Sequence, residues 1–133
     1  IAAIKEASGN MAQVVELQSL CGNDIALYSG EDALTVPMIS MGGTGCISVL
    51  SNVVPSLAVE MTDKALAGDF AGAAALQCKM LPLINALFSQ VNPIPAKAAV
   101  SALGFGKNIL RLPLTPMDPE PVLEEMRKLG VQL

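Results

Sequence analysis

The sequence alternates three times between a short apolar run that is typical of a β-strand and a longer segment that is typical of an α-helix. The predicted strands are residues 1–5, 25–29 and 46–50, and the predicted helices are residues 11–21, 32–41 and 55–66. Asn10 suits the N-cap of the first helix, and Gly42 and Gly43 suit the end of the second. Strands that alternate with helices form a parallel sheet with right-handed crossovers, so the pattern predicts an α/β fold.

After Gly68 the pattern changes to consecutive helices. Asp69 is the predicted N-cap of an Ala-rich helix that runs to about residue 89, with Pro82 as an expected kink, and two shorter helices follow it. We therefore divide the chain into three βα units, residues 1–67, and a helical subdomain, residues 68–133.

Three parallel strands are too few to close into a barrel. They leave two hydrophobic edges, so we expect this segment to need a partner sheet. The chain also opens on Ile1, without a Met and directly in a predicted strand. We expect it to be a piece of a longer protein.

Composition excludes several classes of function. The 133 residues suffice for one domain, and with 52% hydrophobic but 3% aromatic residues the expected core is aliphatic. The net charge is −4 and the eight basic residues are scattered, which argues against a nucleic-acid partner. Charges such as Asp63 and Lys79 interrupt the most apolar region, so we expect no membrane-spanning helix and no membrane partner.

Histidine is absent, which excludes histidine-based triads and histidine-ligated zinc within this chain. The three cysteines, Cys21, Cys46 and Cys78, are far apart and have no metal-ligand spacing. We therefore expect buried, reduced thiols, no bound metal and a cytoplasmic protein.

Lys5 ends the first predicted strand. Side chains alternate along a strand, so Lys5 shares a face with Ala3 and Ile1, while Ile4 points to the other side. If that face is an interior, removal of water favours the neutral amine, which attacks carbonyl carbons. A lysine at a strand end that simply extends into solvent is the alternative.

Several segments, in this order, resemble landmarks of the dihydrodipicolinate synthase family. They are Ile-Lys-Glu-Ala-Ser-Gly-Asn at residues 4–10, Ser-Gly-Glu-Asp at 29–32, Gly-Gly-Thr-Gly-Cys-Ile-Ser-Val at 42–49, Asn-Pro-Ile-Pro-Ala-Lys at 92–97 and Leu-Arg-Leu-Pro-Leu at 110–114. The resemblance covers the whole chain. It implies units six to eight of a (β/α)8 TIM barrel followed by a small helical domain.

The resemblance also implies a chemistry. In the family a lysine forms an imine with pyruvate, and the derived enamine attacks the aldehyde of aspartate semialdehyde; Lys5 matches that lysine. Gly30 matches a position near bound pyruvate, and Ile47 matches a residue whose backbone carbonyl points at the substrate, its side chain being expected in the core. No cofactor or metal is implied, since the iminium itself makes the neighbouring methyl protons acidic.

Other family features, including a proton-relay tyrosine and a carboxylate-binding arginine, would lie upstream of residue 1. The resemblance further implies a homo-oligomer, a tetramer. Two other functions stay open at this point. One is another pyruvate-dependent class I aldolase, such as N-acetylneuraminate lyase or a 2-keto-3-deoxy sugar acid aldolase. The other is a non-catalytic half-barrel that serves as an assembly partner.

Overall fold

Three short parallel strands form the sheet of this computed structural model, which describes residues 1–133. The strands are β1 (Ala3–Glu6), β2 (Ala26–Ser29) and β3 (Gly45–Cys46), and they pair in the order β1-β2-β3. Both pairings are parallel, which confirms the α/β prediction. The third strand is shorter than predicted, because the chain leaves the sheet after Cys46 and forms a 3-10 turn at Leu50–Asn52.

Six α-helices follow or connect the strands: α1 (Met11–Cys21), α2 (Thr35–Ser40), α3 (Pro55–Leu66), α4 (Phe70–Leu87), α5 (Ile94–Ala102) and α6 (Glu120–Lys128). The predicted caps are present, since the side chain of Asn10 accepts a hydrogen bond from the Ala12 N–H and that of Asp69 accepts one from the Gly72 N–H. The second predicted helix is correct in place but begins with a 3-10 turn, Asp32–Leu34.

One aliphatic core is shared by the three βα units, residues 1–67, and the helical subdomain, residues 68–133. A cluster of 16 buried apolar residues includes Val36 of α2, Met61 of α3, Leu83 of α4 and Met126 of α6. The division after residue 67 therefore lies between two helices, α3 and α4, whose side chains share one core.

One premise and one expectation from the sequence are wrong: the charges do not keep every helix below the length and apolarity of a membrane span, and the cysteines are not all buried. By length and composition α4 is apolar enough to cross a membrane, with Lys79 its only charged residue, although core helices pass the same test. This helix buries Met80, Leu83 and other side chains in the shared core. The thiols are also less buried than expected, because Cys78 is exposed and the other two cysteines are half-buried.

Two polar side chains tie the loops above the sheet together. The buried Asp32 accepts hydrogen bonds from the N–H groups of Val49 and Leu50, both at 2.9 Å. Gln77 of α4 accepts from the Val36 N–H at 2.8 Å and donates to the carbonyl of Ala33. The segment after β2 is thus held to the segment after β3 by Asp32 and to helix α4 by Gln77.

We expect Asp32→Ala to lower the free energy of unfolding by about 2–4 kcal/mol, because it leaves the N–H groups of half-buried Val49 and buried Leu50 without an acceptor. Urea unfolding followed by circular dichroism measures the change. Asp63→Ala, at an exposed carboxylate of α3 that accepts no hydrogen bond, is the control and should have little effect. Equal stability of the two variants would contradict the role given to Asp32.

The cap of α4 predicts a pH dependence. The Gly72 N–H, and then Lys64, hold the pKa of the Asp69 carboxyl below its ordinary value of 3.8. A lowered folded-state pKa contributes stability that is present above 3.8 and is lost as the pH falls through the lower folded value. Asp69→Asn should therefore flatten the fall of the unfolding temperature below pH 3.8. Asp63→Asn is the control; an unchanged slope in Asp69→Asn would contradict the prediction.

Candidate active site

Lys5 lies at the carboxyl end of β1 and lines an open cavity. The cavity has a volume of about 390 Å³ and is bounded by β1, the segment after β3 and the start of α5. Ile4 lines a different, apolar depression beside α1. Successive residues of β1 thus face opposite sides of the sheet, as the alternation predicts. We call the first space the Lys5 cavity.

Gly30 lies directly against the Lys5 side chain. A Cβ added at Gly30 would be 2.7 Å from Lys5 Cε and 2.7 Å from the Cβ of Ala7, which is closer than real Cβ atoms approach. The Gly30 N–H donates to the Glu6 carbonyl at 2.6 Å, so the backbone is fixed at this position. Glycine is needed here because of the space that the lysine occupies.

Ile47 lines the Lys5 cavity from the segment after β3. Its N–H donates to the Ser29 carbonyl at 2.7 Å, which continues the pairing of β3 with β2 by one residue. The expectation that its side chain is simply core is wrong, since the side chain is 50% exposed. Lys5, Gly30 and Ile47, taken from three different βα units, therefore meet at one edge of the sheet.

Of the two arrangements that the sequence left open for Lys5, the structure shows the second, because the Lys5 side chain is exposed to solvent. The sheet ends at β1, so no further strand covers that side of the lysine. Tyr28 is the register partner of Lys5 but lines another depression, with Cys46 and Thr62, and not the Lys5 cavity. Within residues 1–133 no group of three Cys, Asp or Glu side chains could hold a metal ion.

Sequence reasoning missed the residues that support the site. Glu6 is only 4% exposed; its Oε1 atom accepts from the Ser8 N–H at 2.9 Å and from Gln13 Nε2 at 3.3 Å. These bonds fix the loop that follows Lys5. The alternation of side chains along β1 could have indicated this role. It places Glu6 on the same face as Ile4, where a carboxylate needs hydrogen-bond partners.

Comparison with known proteins gives a consistent result. A family model described as the dihydrodipicolinate synthetase family matches residues 1–131. A curated relative from Lachnoclostridium phytofermentans, a 4-hydroxy-tetrahydrodipicolinate synthase, is 47% identical over 134 residues, which cover 98% of this chain and 46% of the relative. The chain thus spans about half the length of the curated relatives it matches.

Solved structures agree with the sequence comparison. The dihydrodipicolinate synthase from Aquifex aeolicus is 38% identical with a TM-score of 0.90, over 98% of this chain and 44% of that one. A chloride-inhibited dihydrodipicolinate synthase from Acinetobacter baumannii, solved with pyruvate, is 33% identical with a TM-score of 0.94, over 99% of this chain and 46% of that one.

We expect Gly30→Ala to lower the free energy of unfolding by about 1–3 kcal/mol, because the new methyl group overlaps Lys5 and Ala7. Adding Ala7→Gly removes one of the two overlaps and should restore part of the loss. Urea unfolding of the single and double variants measures both effects. Full stability of Gly30→Ala alone would contradict the prediction, because both Lys5 and Ala7 would then have to move away at no cost.

Proposed function

Because this chain belongs to the dihydrodipicolinate synthetase family, we propose that Lys5 is the Schiff-base lysine of an aldolase-type synthase that condenses pyruvate with aspartate semialdehyde. One observation carries the proposal: Lys5 lies at the carboxyl end of a strand, in an open cavity, beside a glycine that leaves room for its side chain. Barrel enzymes place their chemistry at the carboxyl ends of their strands.

The reaction needs an amine and an electron sink. Lys5 Nζ adds to the keto carbon of pyruvate, and loss of water gives an iminium ion. The positive iminium nitrogen accepts the electron pair left when a methyl proton departs, which gives an enamine. The enamine carbon then forms the new bond to the aldehyde carbon, whose oxygen takes up a proton. Hydrolysis of the resulting imine releases the product and returns the free amine.

Gly30 and Ile47 complete the proposed site of this chain. Gly30 admits the lysine side chain, because a side chain at position 30 would overlap Lys5 and Ala7, and the proposed keto acid binds at the lysine amine. Ile47 follows β3 on the same edge of the sheet, and its main chain would face the bound substrate. We place the tyrosine that relays protons, and the arginine that binds the carboxylate of the semialdehyde, in parts of the protein outside this chain.

The architecture extends the same proposal. Residues 1–67 would be units six to eight of a (β/α)8 barrel and residues 68–133 its helical domain. Two open sheet edges and a match to about half of each relative support this assignment. An amino-terminal half with the remaining strands would then cover Lys5. We further propose a cytoplasmic homo-oligomer.

The comparisons favour this substrate pair over other pyruvate-dependent aldolases. Other class I aldolases of this type would use the same lysine, so Lys5 alone does not separate them. Curated relatives at 43–47% identity are named 4-hydroxy-tetrahydrodipicolinate synthase, from bacteria and from Methanosarcina. This agreement is the support for aspartate semialdehyde as the second substrate.

Borohydride reduction in the presence of pyruvate tests the proposal. We expect a reduced pyruvyl adduct on Lys5, located by peptide mass mapping of this chain and of any longer polypeptide that contains it. Lys5→Arg should abolish the adduct, because a guanidinium does not form the imine. Lys79→Arg, at an exposed lysine of α4, should leave the adduct unchanged. No adduct on a folded, complete barrel, or an adduct on a different lysine, would overturn the assignment.

A further inference from the structure

Lys5 is not the only lysine of its cavity. Lys97, the fourth residue of α5, lines the same space. A smaller adjoining depression of about 70 Å³ is lined by Lys97 and by Lys107, which follows α5. The Ser101 hydroxyl donates to the Gly106 carbonyl at 3.0 Å, which fixes the turn that carries Lys107. The three lysines thus border two spaces that meet at Lys97.

None of these three lysines has an acidic partner. The ion pairs of the structure involve Lys64, Arg127 and Lys128 only. No Asp or Glu is among the residues that line the two spaces. This differs from the molecule as a whole, which has 12 acidic and 8 basic residues. The two spaces therefore form a cationic region on an acidic protein.

The position of Lys97 is not explained by the stability of its helix. The amino-terminal turn of a helix carries the positive end of the helix dipole, so a lysine there is unfavourable and an acid is favourable. Helix α5 has no acid in this turn, and a lysine, Lys97, directly follows its first three residues. The lysine and the helix end instead add positive potential at the mouth of the Lys5 cavity, where an anion would be attracted.

We propose that Lys97, assisted by Lys107, is an anion-recruiting residue that attracts the carboxylate of the keto acid toward Lys5. This inference rests on the proposed function, which supplies the keto acid. An anion is repelled on average by a protein of net charge −4, so local cations raise its concentration at the cavity. The role is electrostatic and acts before the imine forms, and Lys97 takes no part in bond making.

The test measures the second-order rate of imine formation on Lys5 in the full-length protein by borohydride trapping. Removing one steering charge by Lys97→Gln should slow the reaction with pyruvate about three- to tenfold at low ionic strength. The difference should shrink as salt is added, since salt screens exposed charges. The reaction with methyl pyruvate, which has the ketone but no carboxylate, should be unchanged. Lys97→Arg should restore the rate with pyruvate.

Lys79→Gln is the matched control, because Lys79 is also an exposed helical lysine without an ion pair but does not line the cavity. A wild-type protein that gives no adduct on Lys5 would overturn the proposed function. A wild-type adduct with an unchanged rate in Lys97→Gln would overturn only the recruiting role. Equal slowing with pyruvate and methyl pyruvate would also overturn it, since that result indicates a structural effect.

Discussion

The buried carboxylate of Asp32 is the interaction on which the candidate site depends. Its two hydrogen bonds join the segment after β2, which begins with Gly30, to the segment after β3, which begins with Ile47. Strands of four, four and two residues supply few pairings of their own. The relative position of the two loops is therefore set mainly by a side chain that bridges them. Gln77 of α4 adds a second link to the segment after β2, so the helical subdomain also helps to position the site.

The features that the sequence predicted correctly are local ones. Asn10 and Asp69 cap their helices through N–H groups two and three residues away, and such short-range chemistry can be recognised in a sequence. Lys5 and Ile4 face opposite sides of the sheet because alternation is a property of every strand. The resemblance to a known family then brought Gly30 and Ile47 into the same site.

The features that the sequence did not predict depend on distant partners. Asp32 binds N–H groups 17 and 18 residues away, and Gln77 binds groups 41 and 44 residues away. Nothing in the neighbourhood of either residue indicates those partners. The third strand was overestimated for a related reason: residues 47–50 are apolar enough for a strand, but the pairing partner β2 ends at Ser29.

The exposure of Lys5 shows which part of the proposed site lies in this chain: the reactive groups are present, but the shielding of the amine from water is not. It provides the amine, the glycine that leaves room for it and a positive potential from Lys97. A lysine that is to be held away from water needs protein on every side, and here the sheet ends at β1. Attraction of an anion works across open solvent, whereas shielding of an amine does not. The cationic region around Lys5, Lys97 and Lys107 is therefore formed within this chain, while shielding of the Lys5 amine requires further strands beside β1.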